Sequence, residues 1–562
     1  MLDDGSVKCW GSNSDGQLGQ GDTLDRGDGA NEMGDDLAPI LLGTNRTAVK
    51  ITAGEAHTCA LLNDGSVKCW GDNGYGQLGQ GDGLDRGDGA NDMGDNLAPV
   101  LLGTNRTAVE IVAGGFHTCA LLDDGSAKCW GDNDYGQLGQ GDGIDRGDGA
   151  NEMGDDLAPI LLGTNRTAVE IAAGGTHTCA LLDDGSAKCW GDNSFGQLGQ
   201  GNTFARGDGV NEMGDDLAPV LLGTGRTAVE IVAGESHNCA LLDDGSAKCW
   251  GNNFLGRLGQ GDALDRGDGV NEMGDDLAPI LLGTNRTAVK ITAGASHNCA
   301  LLDDGSAKCW GSNGKGRLGQ GDVLARGDAA NEMGDDLAPI LLGTNRTAVK
   351  ITAGASHTCA LLDNGSVKYW GDNDYGQLGQ GDKLDRGDTA NEMGDDLAPV
   401  EARVIVDGEL KSWNSATQAK FAAAVSSVLD APVIVLGVVA ASDRVRSVRI
   451  RFVIYDTTTA DSGEVSVRAK LRDPSVVEQI KAKVAKDTGF IVESDIQVQR
   501  ATAYSEGEGA QGRTIYTRTG AIVGGVIGCL VLCIGLPVVL WVLRRRQLAA
   551  KSQLPPLRGG ER

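Results

Sequence analysis

The sequence predicts a mainly β protein. It should form a seven-bladed β-propeller with an incomplete first blade, then a small α+β domain and one transmembrane helix. Three observations carry this. A 60-residue unit recurs through residues 1–400, with Trp10, Trp70, Trp130, Trp190, Trp250, Trp310 and Trp370 at one position. Each unit contains several short alternating or β-branched runs separated by Gly, Asn and Asp, the pattern of a radially repeated sheet. Residues 520–543 are 24 residues without a charge, followed by Arg544, Arg545 and Arg546; such a stretch is long enough to cross a bilayer.

Within one unit, Ala48 to Ala53 alternates and is β-branched, which predicts a strand ended by Gly54. His57 to Leu62 predicts a second strand and Ser66 to Trp70 a third. A Gly-, Asp- and Asn-rich stretch, 71–96, follows, and Leu97 to Leu102 predicts a fourth strand. Asn63-Asp64-Gly65 suits a three-residue hairpin loop with Gly65 in the left-handed position. That register sets Leu61 opposite Val67, Ala60 opposite Lys68 and Cys59 opposite Cys69.

Facing positions in an antiparallel pair bring β-carbons near disulfide reach. The same spacing gives Cys119 with Cys129, Cys179 with Cys189, Cys239 with Cys249 and Cys299 with Cys309. Ordinary buried thiols are the alternative; a zinc site lacks any Cys-x-x-Cys spacing. Cys359 faces Tyr369, so that hairpin has no bridge, and Cys9 has no upstream partner.

The run Gly54-x-x-His57-Thr58-Cys59-Ala60-Leu61, with Asp64-Gly65-x-Val67-x-x-Trp70-Gly71 and Asn73-x-x-Gly76-Gln77-Leu78-Gly79, resembles the repeat of the regulator-of-chromosome-condensation type. The resemblance covers residues 1–400 and implies a seven-bladed propeller. Seven Trp-Gly elements but six His elements (57, 117, 177, 237, 297 and 357) leave the first blade without its first two strands. Met1 falls in mid-repeat with no hydrophobic leader, so the missing strands and a signal peptide are expected before it.

Residues 401–504 have no repeat. Runs at 402–406, 415–429, 433–439, 448–454, 474–488 and 496–498 give the order β-α-β-β-α-β. In position and pattern this weakly resembles SEA-type juxtamembrane modules. Gly463 is followed by Glu464, where such modules cleave at Gly-Ser, so no self-cleavage is expected. Residues 505–519 form a stalk and 544–562 a cytosolic tail. Positive-inside logic then puts everything before Gly520 outside the cell or in a lumen, where disulfides persist. Gly520, Gly524 and Gly528 permit close helix contact and a homodimer through the span.

Formal net charge is −29, which repels phosphate backbones and argues against nucleic acid. Six histidines at one repeat position suit a structural role, and no asymmetric nucleophile–base constellation accompanies them. No enzyme and no cofactor are expected. Arg86-Gly87-Asp88 and its copies spell an adhesion tripeptide, although Gly and Asp also suit a tight loop. Asp142, Asp145, Asp148, Asn151, Glu152, Asp155 and Asp156 offer oxygen ligands to calcium, without a known calcium-loop spacing; a solvated acidic face is the alternative. Asn45, Asn105, Asn165, Asn285 and Asn345 head glycosylation sequons, which Gly225 interrupts in one unit.

The functional expectation is a cell-surface binding, adhesion or scaffolding protein. It would hold a protein or polysaccharide ligand on one propeller face, with the repeated loops supplying avidity. The alternative, implied by the family resemblance, is nucleotide exchange on a small GTPase.

Overall fold

A computed structural model describes residues 1–2, 5–399, 405–407, 433–440 and 447–454. Its first complete unit is an antiparallel sheet of β1 (Ala48–Ala53), β2 (His57–Leu62) and β3 (Val67–Gly71), in that order. Equivalent sheets span 108–131, 168–191, 228–251, 288–311 and 348–371. The β2–β3 register is the expected one, with Leu61 opposite Val67, Ala60 opposite Lys68 and Cys59 opposite Cys69. Gly65 takes φ 80° and closes the turn by donating to Leu62 O at 2.9 Å.

The fourth strand is a correction. Residues 97–102 form no strand. They keep one ladder bond, Val100 N to Val67 O at 2.8 Å. Pro99 has no N–H to continue the ladder, and Leu97, Val100 and Leu102 are instead buried as core.

The core lies between neighbouring units rather than inside one. Cys59, Leu61, Val67 and Cys69 of one unit pack with Ala108, Ile111, Ala120, Leu122 and Trp130 of the next. This explains why β2 is buried at every position: the next sheet covers one face and Val7, Ile40 and Leu42 of the first unit cover the other, and strands covered on both faces read as continuous apolar runs.

First strands of successive units lie against one another, and Lys50 pairs with Glu110 at 2.5 Å across one such contact. The ring closes where the last loop meets the first unit. Trp10 Nε1 donates to Gln377 O at 3.0 Å, Gly381 N donates to Gly27 O at 3.0 Å, and Lys383 pairs with Asp28 at 2.8 Å.

Beyond the repeats, Ile405–Asp407, Val433–Ala440 and Ser447–Ile454 form a further antiparallel sheet with the 447–454 strand central. These lie within or overlap three of the four strands expected there. The expected helices, the stalk, the span at 520–543 and the tail lie outside the described residues. Among the described residues no helix is long and apolar enough to cross a membrane.

Candidate protein-binding rim and inter-unit joints

Each unit sends a loop from β3 that returns through a two-way bridge. Gly71 N donates to Arg86 O at 2.8 Å and Arg86 N to Gly71 O at 3.1 Å. Asn73, fully buried, organises the interior. Its Nδ2 donates to Asp82 O at 2.6 Å, its N–H to Asp85 Oδ1 at 2.9 Å, and its Oδ1 accepts from Leu78 N at 2.9 Å. Arg86 then clamps the tip, reaching Leu84 O at 2.6 Å and Asp82 Oδ2 at 2.8 Å.

With its backbone held this way, the loop turns one apolar side chain outward. Leu24, Leu84, Ile144, Phe204, Leu264, Leu324 and Leu384 are 62–69% exposed. Leu41, Leu101, Leu161, Leu221, Leu281 and Leu341 form a second exposed set. A single exposed leucine needs no explanation, whereas seven large apolar side chains at one repeat position make a patterned surface. Sequence reading passed over them because a lone apolar residue in a polar loop has no helix or strand period. The signal was there at the 60-residue period. Position 84 is Leu, Ile or Phe in every unit, while its neighbour runs Thr23, Gly83, Gly143, Thr203, Ala263, Val323 and Lys383.

The Arg-Gly-Asp copies sit at the joints. Arg86 is spent on its own loop, as above. Gly87 is buried at φ 91°, and its carbonyl accepts from Gly21 N of the preceding unit at 2.9 Å. A Cβ there would lie 2.7 Å from Gly16 O, so glycine is what allows the two loops to meet. Asp88 is exposed.

The histidines form a second set of joints. His57 Nε2 lies 2.9 Å from Thr118 Oγ1, and Thr118 Oγ1 donates to Gln77 O at 2.9 Å. The hydroxyl proton is thus committed, so His57 donates through Nε2–H. Trp130 Nε1 donates to the same Gln77 O at 3.0 Å. Where threonine becomes asparagine, the bond persists: His177 Nε2 to Asn238 Oδ1 at 3.0 Å. Burial holds these imidazoles neutral, with His57 lowered to about 4 and His117 and His237 to about 3.

The cysteine pairs 59–69, 119–129, 179–189, 239–249 and 299–309 are disulfides with Cα atoms 4.0–4.1 Å apart; Cys9 and Cys359 are free. Asn45, Asn105, Asn165, Asn285 and Asn345 are exposed at φ 54–58°, and Gly225 takes φ 67° at the same position. The sequon asparagine therefore also meets a left-handed turn, a conformation that Asn and Gly share.

Of the carboxylates read as calcium ligands, Asp145 joins Asp132 and Asp134 in a trio with oxygens within 4.8 Å. Burial, then the neighbouring carboxylates, raises the Asp145 carboxyl. The matching trio Asp372, Asp374 and Asp385 receives Lys315 Nζ at 3.6, 3.0 and 3.2 Å.

Comparison with known proteins agrees with this architecture. The RCC1-like domain matches residues 1–272. The regulator of chromosome condensation (RCC1) repeat matches 288–317, 348–377 and, by a second description, 304–361. The ultraviolet-B receptor UVR8 of Arabidopsis thaliana is 29% identical over 394 residues, covering 68% of this chain and 76% of the receptor. The E3 ubiquitin-protein ligase HERC2 of Mus musculus is 29% identical over 343 residues; these are 59% of this chain but 6% of the ligase. Among solved structures, Prp20p from Saccharomyces cerevisiae gives a TM-score of 0.53 at 20% identity, covering 79% of this chain and 90% of that one. Human WBSCR16 gives 0.51 at 19%, covering 70% and 94%. The repeat region of this chain is an RCC1-repeat β-propeller.

Proposed function

We propose that the propeller is a platform that binds another protein through its loop rim. The observation that carries this is the set of seven exposed apolar side chains, one per unit, from Leu24 to Leu384. Carboxylates follow in the loop, Asp82, Asp85 and Asp88 around Leu84, although Asn202 and Ala205 replace two of them around Phe204 and Ala325 one of them around Leu324. A partner offering apolar side chains among lysines or arginines complements that surface, and repetition lets weak contacts sum. UVR8 and HERC2 are a receptor and a ligase, and Prp20p has been described with its binding to Gsp1p and histones; protein partners are in keeping with that company.

The paired cysteines favour an oxidising compartment. With the apolar stretch at 520–543, they support a membrane-anchored, extracellular or luminal propeller without enzymatic activity. Polysaccharide as the ligand is a weaker fit, because the rim offers aliphatic side chains more than aromatic ones.

Affinity capture with the full chain tests the main reading. Leu84→Asp, Ile144→Asp, Leu264→Asp and Leu324→Asp together should remove the captured partner while leaving the melting temperature unchanged. Capture that survives the fourfold change refutes it. The second reading, nucleotide exchange on a small GTPase, is tested by release of a fluorescent nucleotide. Acceleration that withstands the same four substitutions would favour exchange.

A further inference from the structure

Two units carry aspartate at three positions of the β3 loop that the other units fill only in part: Asp132, Asp134 and Asp145, and Asp372, Asp374 and Asp385. In each trio one oxygen from every member lies within 4.8 Å of the others. The second trio holds a cation, because Lys315 of the preceding unit sets its Nζ 3.6, 3.0 and 3.2 Å from the three carboxylates. Ahead of the first trio the same repeat position is Tyr75, whose ring packs on Phe116 with centroids 5.5 Å apart. Arg146, next to Asp145, is committed to Ile144 O at 2.6 Å and Asp142 Oδ2 at 2.8 Å. The same three carboxylates therefore meet a lysine in one unit and a tyrosine in the other.

A buried amide points into the first trio. Gln77 and Gln197 accept from Tyr75 N and Phe195 N at 2.9 Å through Oε1, and their Nε2 donates to Asp72 and Asp192 at 2.8 Å. Gln137 accepts from Tyr135 N at 3.0 Å in the same way, which aims its Nε2 at Asp132. Yet this Nε2, on a fully buried side chain, has no hydrogen-bond partner among the described residues. A buried donor left unpaired is unfavourable, and a water carried on a cation in the trio would supply its acceptor. Backbone N–H groups already fix two of the carboxylates, Asp134 N donating to Asp132 Oδ1 at 3.0 Å and Asn133 N to Asp145 Oδ1 at 2.8 Å. Each keeps a second oxygen for a metal. Burial raises both carboxyls, and the neighbouring carboxylates add to it; a cation relieves both.

We propose that Asp132, Asp134 and Asp145 bind a calcium ion, doing with an external cation what the matching trio does with Lys315. Oxygens within 4.8 Å of one another can each lie about 2.4 Å from a common centre, the distance calcium takes. Asp134 is exposed, so water completes the shell from that side. Calcium's flexible shell suits carboxylates fixed by backbone N–H groups better than magnesium's strict octahedron at about 2.0–2.1 Å.

Equilibrium dialysis of the full chain against radioactive calcium, at about 0.15 M potassium chloride to screen the diffuse acidic surface, tests this. One ion per chain should bind with a Kd of about 0.1–1 mM, the range of three-carboxylate sites outside cells. Asp145→Asn keeps the acceptor for Asn133 N and should weaken binding at least tenfold. Tyr75→Lys supplies the lysine that the last unit has, and should remove the ion. Lys315→Tyr makes the converse change and should raise the count to two. Both lysine-position substitutions lie at the surface, so melting temperatures without calcium should match the parent, and calcium should raise the melting temperature of the parent but not of Tyr75→Lys. No saturable binding overturns the proposal. So does binding that Asp145→Asn and Tyr75→Lys both leave unchanged, since the ion would then sit elsewhere on the acidic surface.

Discussion

Acid should loosen this propeller well above the range in which aspartates titrate. His57, His117, His177, His237 and His297 are buried with folded values lowered, to about 4 or 3 where burial acts with little opposition. In the unfolded chain each returns to about 6.5. The unfolded state therefore binds more protons between these values, and stability falls as pH drops through 6.5. Between pH 7.5 and 5.5 the ratio of protonated to neutral imidazole in the unfolded chain rises to about ten, which costs about 1.4 kcal/mol per histidine. His57, His117 and His237, with folded values at about 4 or 3, give about 4 kcal/mol together, and the lowered His177 and His297 add in the same direction.

Glu170 opposes this. Burial, then Glu230, raises its carboxyl to about 7. The folded state thus takes up a proton in the same window and gains about 2 kcal/mol. The net expectation is a loss of at least about 2 kcal/mol, a large share of the stability of an ordinary domain. Denaturant midpoints at pH 7.5, 6.5 and 5.5 measure it. A midpoint that is flat or rises on acidification would refute the reasoning, and Glu170→Gln should steepen the fall.

Three other perturbations follow from the joints. Cys119→Ser with Cys129→Ser should cost about 2–3 kcal/mol, and alkylation without reduction should leave the ten bridged cysteines unmodified in the parent chain. Trp130→Phe removes the donor to Gln77 O and leaves a small cavity where the fully buried indole was wider than a phenyl ring, so thermal melting should report a loss of about 2–4 kcal/mol. Gly87→Ala forces a side chain into left-handed backbone and against Gly16 O; a loss above about 2 kcal/mol is expected, with increased proteolysis at the joint.

The hairpin register was legible because it is local. Asn63-Asp64-Gly65 dictates the turn, and the turn dictates that Cys59 meets Cys69. The fourth strand was misjudged for an equally local reason: Pro99 interrupts a run whose apolar residues serve burial instead of pairing. What local sequence cannot supply is a neighbour. Gly5 to Gly11 and Gly65 to Gly71 are the same seven residues. Val67–Gly71 is a strand, and residues 7–10 are not, because β2 lies beside the first and no described residues form an equivalent strand beside the second. The exposed rim escaped notice because reading for burial discards a lone leucine in a polar loop. The roles of Thr118 and Gln77 at the histidine joint depend on contacts 61 and 41 residues apart, beyond any short window.

Closure at Trp10, Gly27 and Asp28 has an evolutionary corollary. Units this alike invite unequal recombination, which in an open solenoid would only lengthen or shorten the array. Here the last loop must find Gln377 O beneath Trp10 and Lys383 beside Asp28. A gained or lost unit changes the angle each joint has to span and moves those partners apart. The number of units is therefore tied to ring geometry, so a partner that reads the rim would meet its grips at a set spacing.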